Sequence, residues 1–278
     1  EDNRAGDSLS VIMINQKLGS MITYDTSDNM RNWSSVTLWE ATDDFVKSHP
    51  EALGRVRSVK FSMFNLNSGE TLPKEVRNLK FLESFSLAAN ENNQIREVEL
   101  GEDICELKYL KDLTVQAYGM THLPANFVNL GKNLETLNLV SNNFNKLSDI
   151  TNVVNEKNFP KLRNLILYAQ RRTDVAINIS QLEKNSEGNY IYNTYPIGLY
   201  GKVSAGTSDR QALLKLLTWD KLNALKLSYC FLEGELPTDD EMDAALKAAG
   251  KATRYSKADF SDNKADCLDK LVGDTCKW

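Results

Sequence analysis

The chain is short of the side chains that most chemistry needs. Its 278 residues include two histidines, His49 and His122, and four cysteines. There is no Gly-rich phosphate loop, no CxxC pair and no HExxH motif, so nothing points to phosphoryl transfer, redox thiols or a zinc hydrolase. Neither histidine is accompanied by a nucleophile motif, and the reading is that the protein is not an enzyme and carries no cofactor. No apolar run approaches the ~18 residues of a membrane-crossing helix. Lysine and arginine form no block and the net charge is −5, which argues against nucleic acid as the partner. Glu1 is not an initiator residue and no targeting peptide is visible, so a mature or trimmed chain is expected.

What the chain does have is a repeat. Residues Leu134, Leu137, Leu139, Asn142 and Phe144 spell L-x-x-L-x-L-x-x-N-x-F. The two inner leucines alternate, which puts both on one face of a short strand. The asparagine follows where the chain must turn, and its amide can both donate and accept. The pattern starts again at Val56, Leu82, Leu110, Leu162, Leu222 and, in degenerate form, Tyr255. The first five starts are 26, 28, 24 and 28 residues apart (Val56, Leu82, Leu110, Leu134, Leu162). That is the leucine-rich-repeat period of ~20–29 residues. The asparagine slot holds Phe64, Asn90, Tyr118, Asn142, Gln170, Cys230 and Asn263 in turn.

The fold expected is α/β: a right-handed leucine-rich-repeat solenoid with a parallel sheet on the concave face and short helices or irregular segments outside. Two regions divide it, an N-terminal tail and capping segment over 1–54 and the solenoid over 55–278. Residues 1–10 read as a polar tail, and Val11 to Ile14 as a strand or plug. A strand is expected within Arg31–Trp39 and a short helix over Glu40–Lys47, with Trp33, Trp39 and Phe45 covering the first repeat. Ser148 is expected to start one outer helix, Ser208 and Gln211 to form a capping box on another, and Thr238 and Glu241 a third ahead of Gly250. That capping accounts for the acids at 239–241. A calcium site there or at Asp259, Ser261 and Asn263 is disfavoured, because no loop with the required glycine and terminal glutamate follows, and no metal is expected.

From Leu162 to Leu222 is 60 residues, about twice a normal step. A hairpin-like insertion at about 171–207, or a degenerate repeat, fills the gap. It is rich in tyrosine: Tyr190, Tyr192, Tyr195 and Tyr200. Cys105 and Cys230 read as buried core thiols. Cys267 and Cys276 are consistent either with a disulfide in an oxidising compartment or with unpaired thiols.

Gly69, Leu72, Pro73 and Val76, then Leu123 and Pro124, then Leu232, Gly234, Leu236 and Pro237, resemble the plant-type repeat L-x-G-x-L-P. With the Trp-containing cap, the stretch from about 33 to 271 resembles exported or surface leucine-rich-repeat proteins of Gram-negative gut bacteria. That resemblance implies an extracellular, cell-surface or periplasmic monomer that recognises a protein, with a glycan as the alternative ligand. The strand positions between and after the inner leucines supply the candidate surface: Lys60, Ser86, Thr114, Asn138, Ile166, Lys226 and Asp259 in one row, Ser62, Ala88, Gln116, Val140, Tyr168, Ser228 and Ser261 in the next, and Met63, Ala89, Ala117, Ser141, Ala169, Tyr229 and Asp262 in a third. The binding residues singled out are Lys60, Gln116, Asn138, Tyr168, Tyr190, Tyr192, Tyr195, Lys226 and Tyr229. Aromatic residues concentrate binding energy, so the edge at Tyr168 and Tyr229 beside the insertion is the favoured patch. The competing expectation is that the insertion's tyrosines pack a small core of their own.

Overall fold

The computed structural model describes residues 1–20, 22–64, 66–67, 69–89, 98–144, 146–170, 186–187, 208–228, 230, 236–252 and 258–259. The insertion's tyrosines, Tyr229, Cys267, Cys276 and most of the last repeat lie outside them.

Alternating side chains make strands, and each repeat contributes one. They are β2 (Val56–Ser62), β3 (Ser84–Ala88), β4 (Asp112–Gln116), β5 (Thr136–Asn138), β6 (Asn164–Ile166), β7 (Ala224–Lys226) and β8 (Ala258–Asp259). All seven are parallel and lie in chain order, and β1 (Val36–Leu38) adds an antiparallel strand at the N-terminal edge. The register is uniform. Val59 aligns with Phe85, Leu113, Leu137, Leu165, Leu225 and Ala258, which is the same position of every copy. From Val59 to Leu225 these side chains are buried, as are Phe61, Leu87, Val115, Leu139, Leu167 and Leu227 two residues on. One continuous apolar core runs the length of the array. The architecture is a leucine-rich-repeat solenoid, with connections between neighbouring parallel strands of the kind that are almost always right-handed.

Four of the strands, β2, β4, β5 and β6, end in the same turn. Met63, Ala117, Ser141 and Ala169 have φ of 57°, 53°, 58° and 59°, the left-handed region. An L-residue is strained there by roughly 1–2 kcal/mol. These residues were expected on the concave face, but Ala117 and Ala169 are buried in the turn, because the left-handed residue rotates the chain off the sheet. The next side chain holds the turn. Asn142 Oδ1 accepts from Gly119 N and Met120 N, while Nδ2 donates to Val115 O (2.7 Å) and Leu139 O. One repeat later Gln170 Nε2 donates to Leu139 O at 2.7 Å, and one later again Cys230 Sγ donates to Leu167 O at 3.0 Å. The slot therefore passes a donor back to the equivalent carbonyl of the preceding repeat. Phe64 and Tyr118 keep the left-handed residue before them and fill their slots by an edge-on ring contact at 6.0 Å. The Cys230 thiol is buried, which pushes it up to about 12, and burial, with Glu102 next, does the same to Cys105. Both are structural thiols.

The cap departs from expectation. Residues Arg4–Lys17 form helix α1, not a tail followed by a strand. Val11, Ile14 and Leu18 are the inward positions of a 3.6-residue period, and Asn3 caps the first turn by accepting from Gly6 N. The reason the helix stays is electrostatic. Asp7, 1% exposed, accepts from Arg55 Nε and Nη2 (3.0 and 2.8 Å) and from Val56 N, the first residue of β2. Strand β1 falls within the expected segment, while helix α2 (Asp44–Ser48) starts four residues later than the expected Glu40. Trp39 is buried with Val46, Ala52 and Phe81 in a satellite cluster flanked by Phe45 and Tyr109, whereas Trp33 joins the main core.

On the outer side, α3 (Leu147–Thr151) does not start on a Ser148 cap. Asp209, buried at the start of α4 (Ser208–Leu217), accepts from Leu147 N and Ser148 N instead. The capping box expected on Ser208 and Gln211 rests on the Ser208 side chain, which lies outside the described part of the structure. Helix α5 (Asp239–Ala249) does carry the expected capping box on Thr238 and Glu241, and ends on left-handed Gly250. No helix among the described residues is long and apolar enough to cross a membrane.

Three substitutions test this account. Asp7→Ala leaves Arg55 buried without its bidentate partner and is expected to cost about 3–5 kcal/mol in urea unfolding. Asp2→Ala, which removes only the exposed partner of Arg55, should cost about 1 kcal/mol or less; equal losses would refute the anchoring role. Asn142→Leu fills the slot but strands the Gly119 and Met120 amides, and a loss of at least about 2 kcal/mol is expected. A neutral Asn142→Leu would mean the ladder does not hold the turns.

Candidate functional site

Uniform register converts the repeat's sequence slots into rows on the sheet face opposite the core. The middle row is Lys60, Ser86, Thr114, Asn138, Ile166 and Lys226, each aligned with the next. Lys60 and Lys226 are exposed at its ends, and Asn138 is half-buried with its side chain turned to its own strand, accepting from Val140 N. Gln116 is exposed in the following row, and Tyr168 is 41% exposed two strands along. The structure therefore brings Lys60, Gln116, Asn138, Tyr168 and Lys226 onto one face. The remaining candidates, Tyr190, Tyr192, Tyr195 and Tyr229, lie outside the described residues.

A further row on this face, two residues before the middle one, was not singled out from sequence. Ser58, Ser84, Asp112, Thr136, Asn164 and Ala224 align across β2 to β7. Three of its members are linked by hydrogen bonds, and Ser58 bonds across to β1. Thr37 and Ser58 share a 2.5 Å bond, and Asn164 Nδ2 donates to Thr136 Oγ1 at 3.2 Å, with the Thr136 hydroxyl in turn bonded to the Asp112 carboxylate. Asp112 is the one acid in the three rows on β2 to β7. Burial raises its pKa above the ordinary 3.8, the Thr136 hydroxyl works against that, and Glu135 and Glu83 push it further up. The signal for this row was present in the sequence as the slot two residues before the middle row. Its consequence was not, because the pressure on Asp112 comes from strands on either side.

The two histidines serve packing and loops. His49 stacks on Phe45 at 4.2 Å, and His122 lies 3.7 Å from Glu99 on the surface. Among the described residues no group of three or more His, Cys, Asp or Glu is placed to hold a metal ion.

No protein family matches the chain, and no characterised protein matches it. Solved structures do. The leucine-rich-repeat ectodomain of the receptor kinase SOBIR1 from Arabidopsis thaliana is 18% identical, over 60% of this chain and 94% of that one, at a TM-score of 0.40. The BIR2 ectodomain from Arabidopsis thaliana is 14% identical over 62% and 84%, at 0.39. A plant ice-binding protein is 16% identical over 52% of this chain and half of that one, at 0.34.

Asp112 yields a prediction with a definite sign. A carboxyl whose folded pKa is raised favours folding while protonated, and that advantage is lost as pH rises from the ordinary value near 3.8 through the raised one. Asp112→Asn should therefore melt higher than wild type at pH 7, with the gain shrinking as pH falls below that window. A gain independent of pH would show that the carboxylate is not under strain.

Proposed function

We propose that the chain is a non-catalytic recognition module that binds a protein partner through the open face of its sheet and the edge at Tyr168. The observation that carries this reading is the register. It sets three rows of mostly small, mostly neutral side chains on a backbone that is hydrogen-bonded from β1 to β8. A surface of that kind is preorganised, so binding orders little. Lys60 towards one end, Lys226 aligned with Asp259 towards the other, and Asp112 between them give the face a charge pattern that a complementary surface can read. The exposed Tyr168 ring supplies the amphipathic anchor on which interface energy tends to concentrate. In this reading the protein acts as a monomer outside the cytoplasm.

The exposed ring at Tyr168 also suits stacking on a neutral sugar, which is the second reading. A glycan array separates the two: saturable neutral-glycan binding lost in Tyr168→Ala would replace the protein partner with a carbohydrate.

The test of the first reading is capture from surface extracts by wild type, by Tyr168→Ala and by Ser86→Arg/Thr114→Arg, with all three matched by thermal melt. A partner held through this face should bind Tyr168→Ala about 30-fold more weakly, the equivalent of a 2 kcal/mol hot spot. The arginine variant should not bind it at all. Unchanged binding by both folded variants would remove the open face from the interaction.

A further inference from the structure

A different edge of the solenoid carries charge of one sign. Where the chain enters each strand, the one or two residues before the first apolar position include Lys108, Lys132, Lys161 and Lys221, one per repeat, and all four are exposed. The backbone fixes the columns at this edge: Lys108 and Lys132 stand two residues before the first apolar position and Lys161 and Lys221 one residue before it, so the four fall in two adjacent columns. Lys111 N donates to Glu83 O, Glu135 N to Lys111 O and Arg163 N to Glu135 O, each at 2.8 Å, and Asn223 N donates to Arg163 O. Side chains bind the same edge together: Asn133 Nδ2 donates to Lys108 O at 2.6 Å, and Lys161 Nζ donates to Asn133 Oδ1 at 3.3 Å. Lys111 and Arg163 add two more cations. Against these six stand two carboxylates, Glu135 and Asp220, and Asp220 is engaged by Lys251 at 2.9 Å. In a chain of net charge −5 this is a local inversion. Lys80 would extend the row by one repeat, but it is paired with Asp2 at 2.5 Å.

We propose that this edge is a second binding surface, distinct from the open face, for a linear anionic polysaccharide of the uronate type. Parallel strands stand ~4.8 Å apart, so the edge carries on average one ammonium per ~4.8 Å over four repeats, spread over two adjacent columns. That mean spacing is close to the rise of a single pyranose residue along an extended chain, so the edge and a uronate chain match in linear charge density. Lysine is a hydrated point charge on a flexible stem, and it pairs with a carboxylate without demanding one fixed orientation. Single-stranded nucleic acid is disfavoured because it needs aromatic platforms between its cations. The aromatic residue at this edge, Tyr109, is already stacked on Phe81 at 5.8 Å and packed edge-on against Phe45.

The test uses polygalacturonate as the probe, with neutral dextran and a single-stranded oligonucleotide of equal charge beside it. Wild type should bind polygalacturonate at low salt, weaken steeply as salt rises, and ignore dextran. The variant Lys108→Ser/Lys132→Ser/Lys161→Ser/Lys221→Ser should lose at least tenfold in affinity while melting as wild type does. A control that removes the same charge elsewhere, Lys47→Ser/Lys74→Ser/Lys215→Ser/Lys247→Ser, should bind within about twofold of wild type. Tyr168→Ala should bind fully, which separates this surface from the open face. Equal losses in the two quadruple variants, or no binding by wild type, would overturn the proposal. Tighter binding of the oligonucleotide would overturn the ligand class.

Discussion

Lateral pairing of equivalent positions is the constraint on which everything else in this molecule rests. Because a strand's side chains alternate, a slip of one residue between neighbours would turn the inner leucines outward. The alignment of Val59, Phe85, Leu113, Leu137, Leu165 and Leu225 forbids it. Every other regular feature inherits that register: the left-handed turns at one end of the strands, the lysine edge at the other, and the rows on the open face between them. Each repeat buries its apolar side only against neighbours, so the register and the core are two descriptions of one interaction.

The turn shows why the repeat tolerates some substitutions and not others. A non-glycine residue in the left-handed region persists only where its surroundings over-determine it. Here that work falls to the following side chain, which must reach the carbonyl of the preceding repeat. Asparagine, glutamine and cysteine all donate, so Asn142, Gln170 and Cys230 are interchangeable in kind, though the thiol is a weak donor. Phe64 and Tyr118 satisfy the same position through apolar contact, both fully buried. The slot is thus defined by what it must do to its neighbour, not by one residue type.

The repeat array was legible in the sequence because its signal is local and recurs: two inner leucines and a turn residue lie within eleven residues of one another, and the pattern returns every 24 to 28 residues over the first five copies. The cap was not. Helix α1 carries an exposed Leu9, at 57%, and half-buried Ile12 and Met13, which blur the periodicity of Val11, Ile14 and Leu18 into a short apolar run. Its anchor, Arg55, lies 48 residues away from Asp7, beyond the reach of any local pattern. The same distance problem hid the Asp209 cap on α3, whose amides are 62 and 61 residues distant. On the open face, position could be read from the repeat slots while environment could not. The slots place Asp112, but only the neighbouring strands explain its raised pKa.

That difference bears on where function can reside in a solenoid. The inward positions are bound to the core and the turn slot to its ladder, so substitutions there change stability first. The outward positions on the strands and at their entrances are held just as rigidly but contribute little to folding, since neither the exposed Gln116 nor the exposed lysines support a buried group. They are free to vary in chemistry without loosening the frame. Charge and aromatic character can therefore accumulate on them in rows, one residue per repeat, and a ligand that extends across several repeats meets the same chemistry at each step. A row of weak contacts then adds along the array, because the register has already fixed the spacing that a flexible surface would have to order on binding.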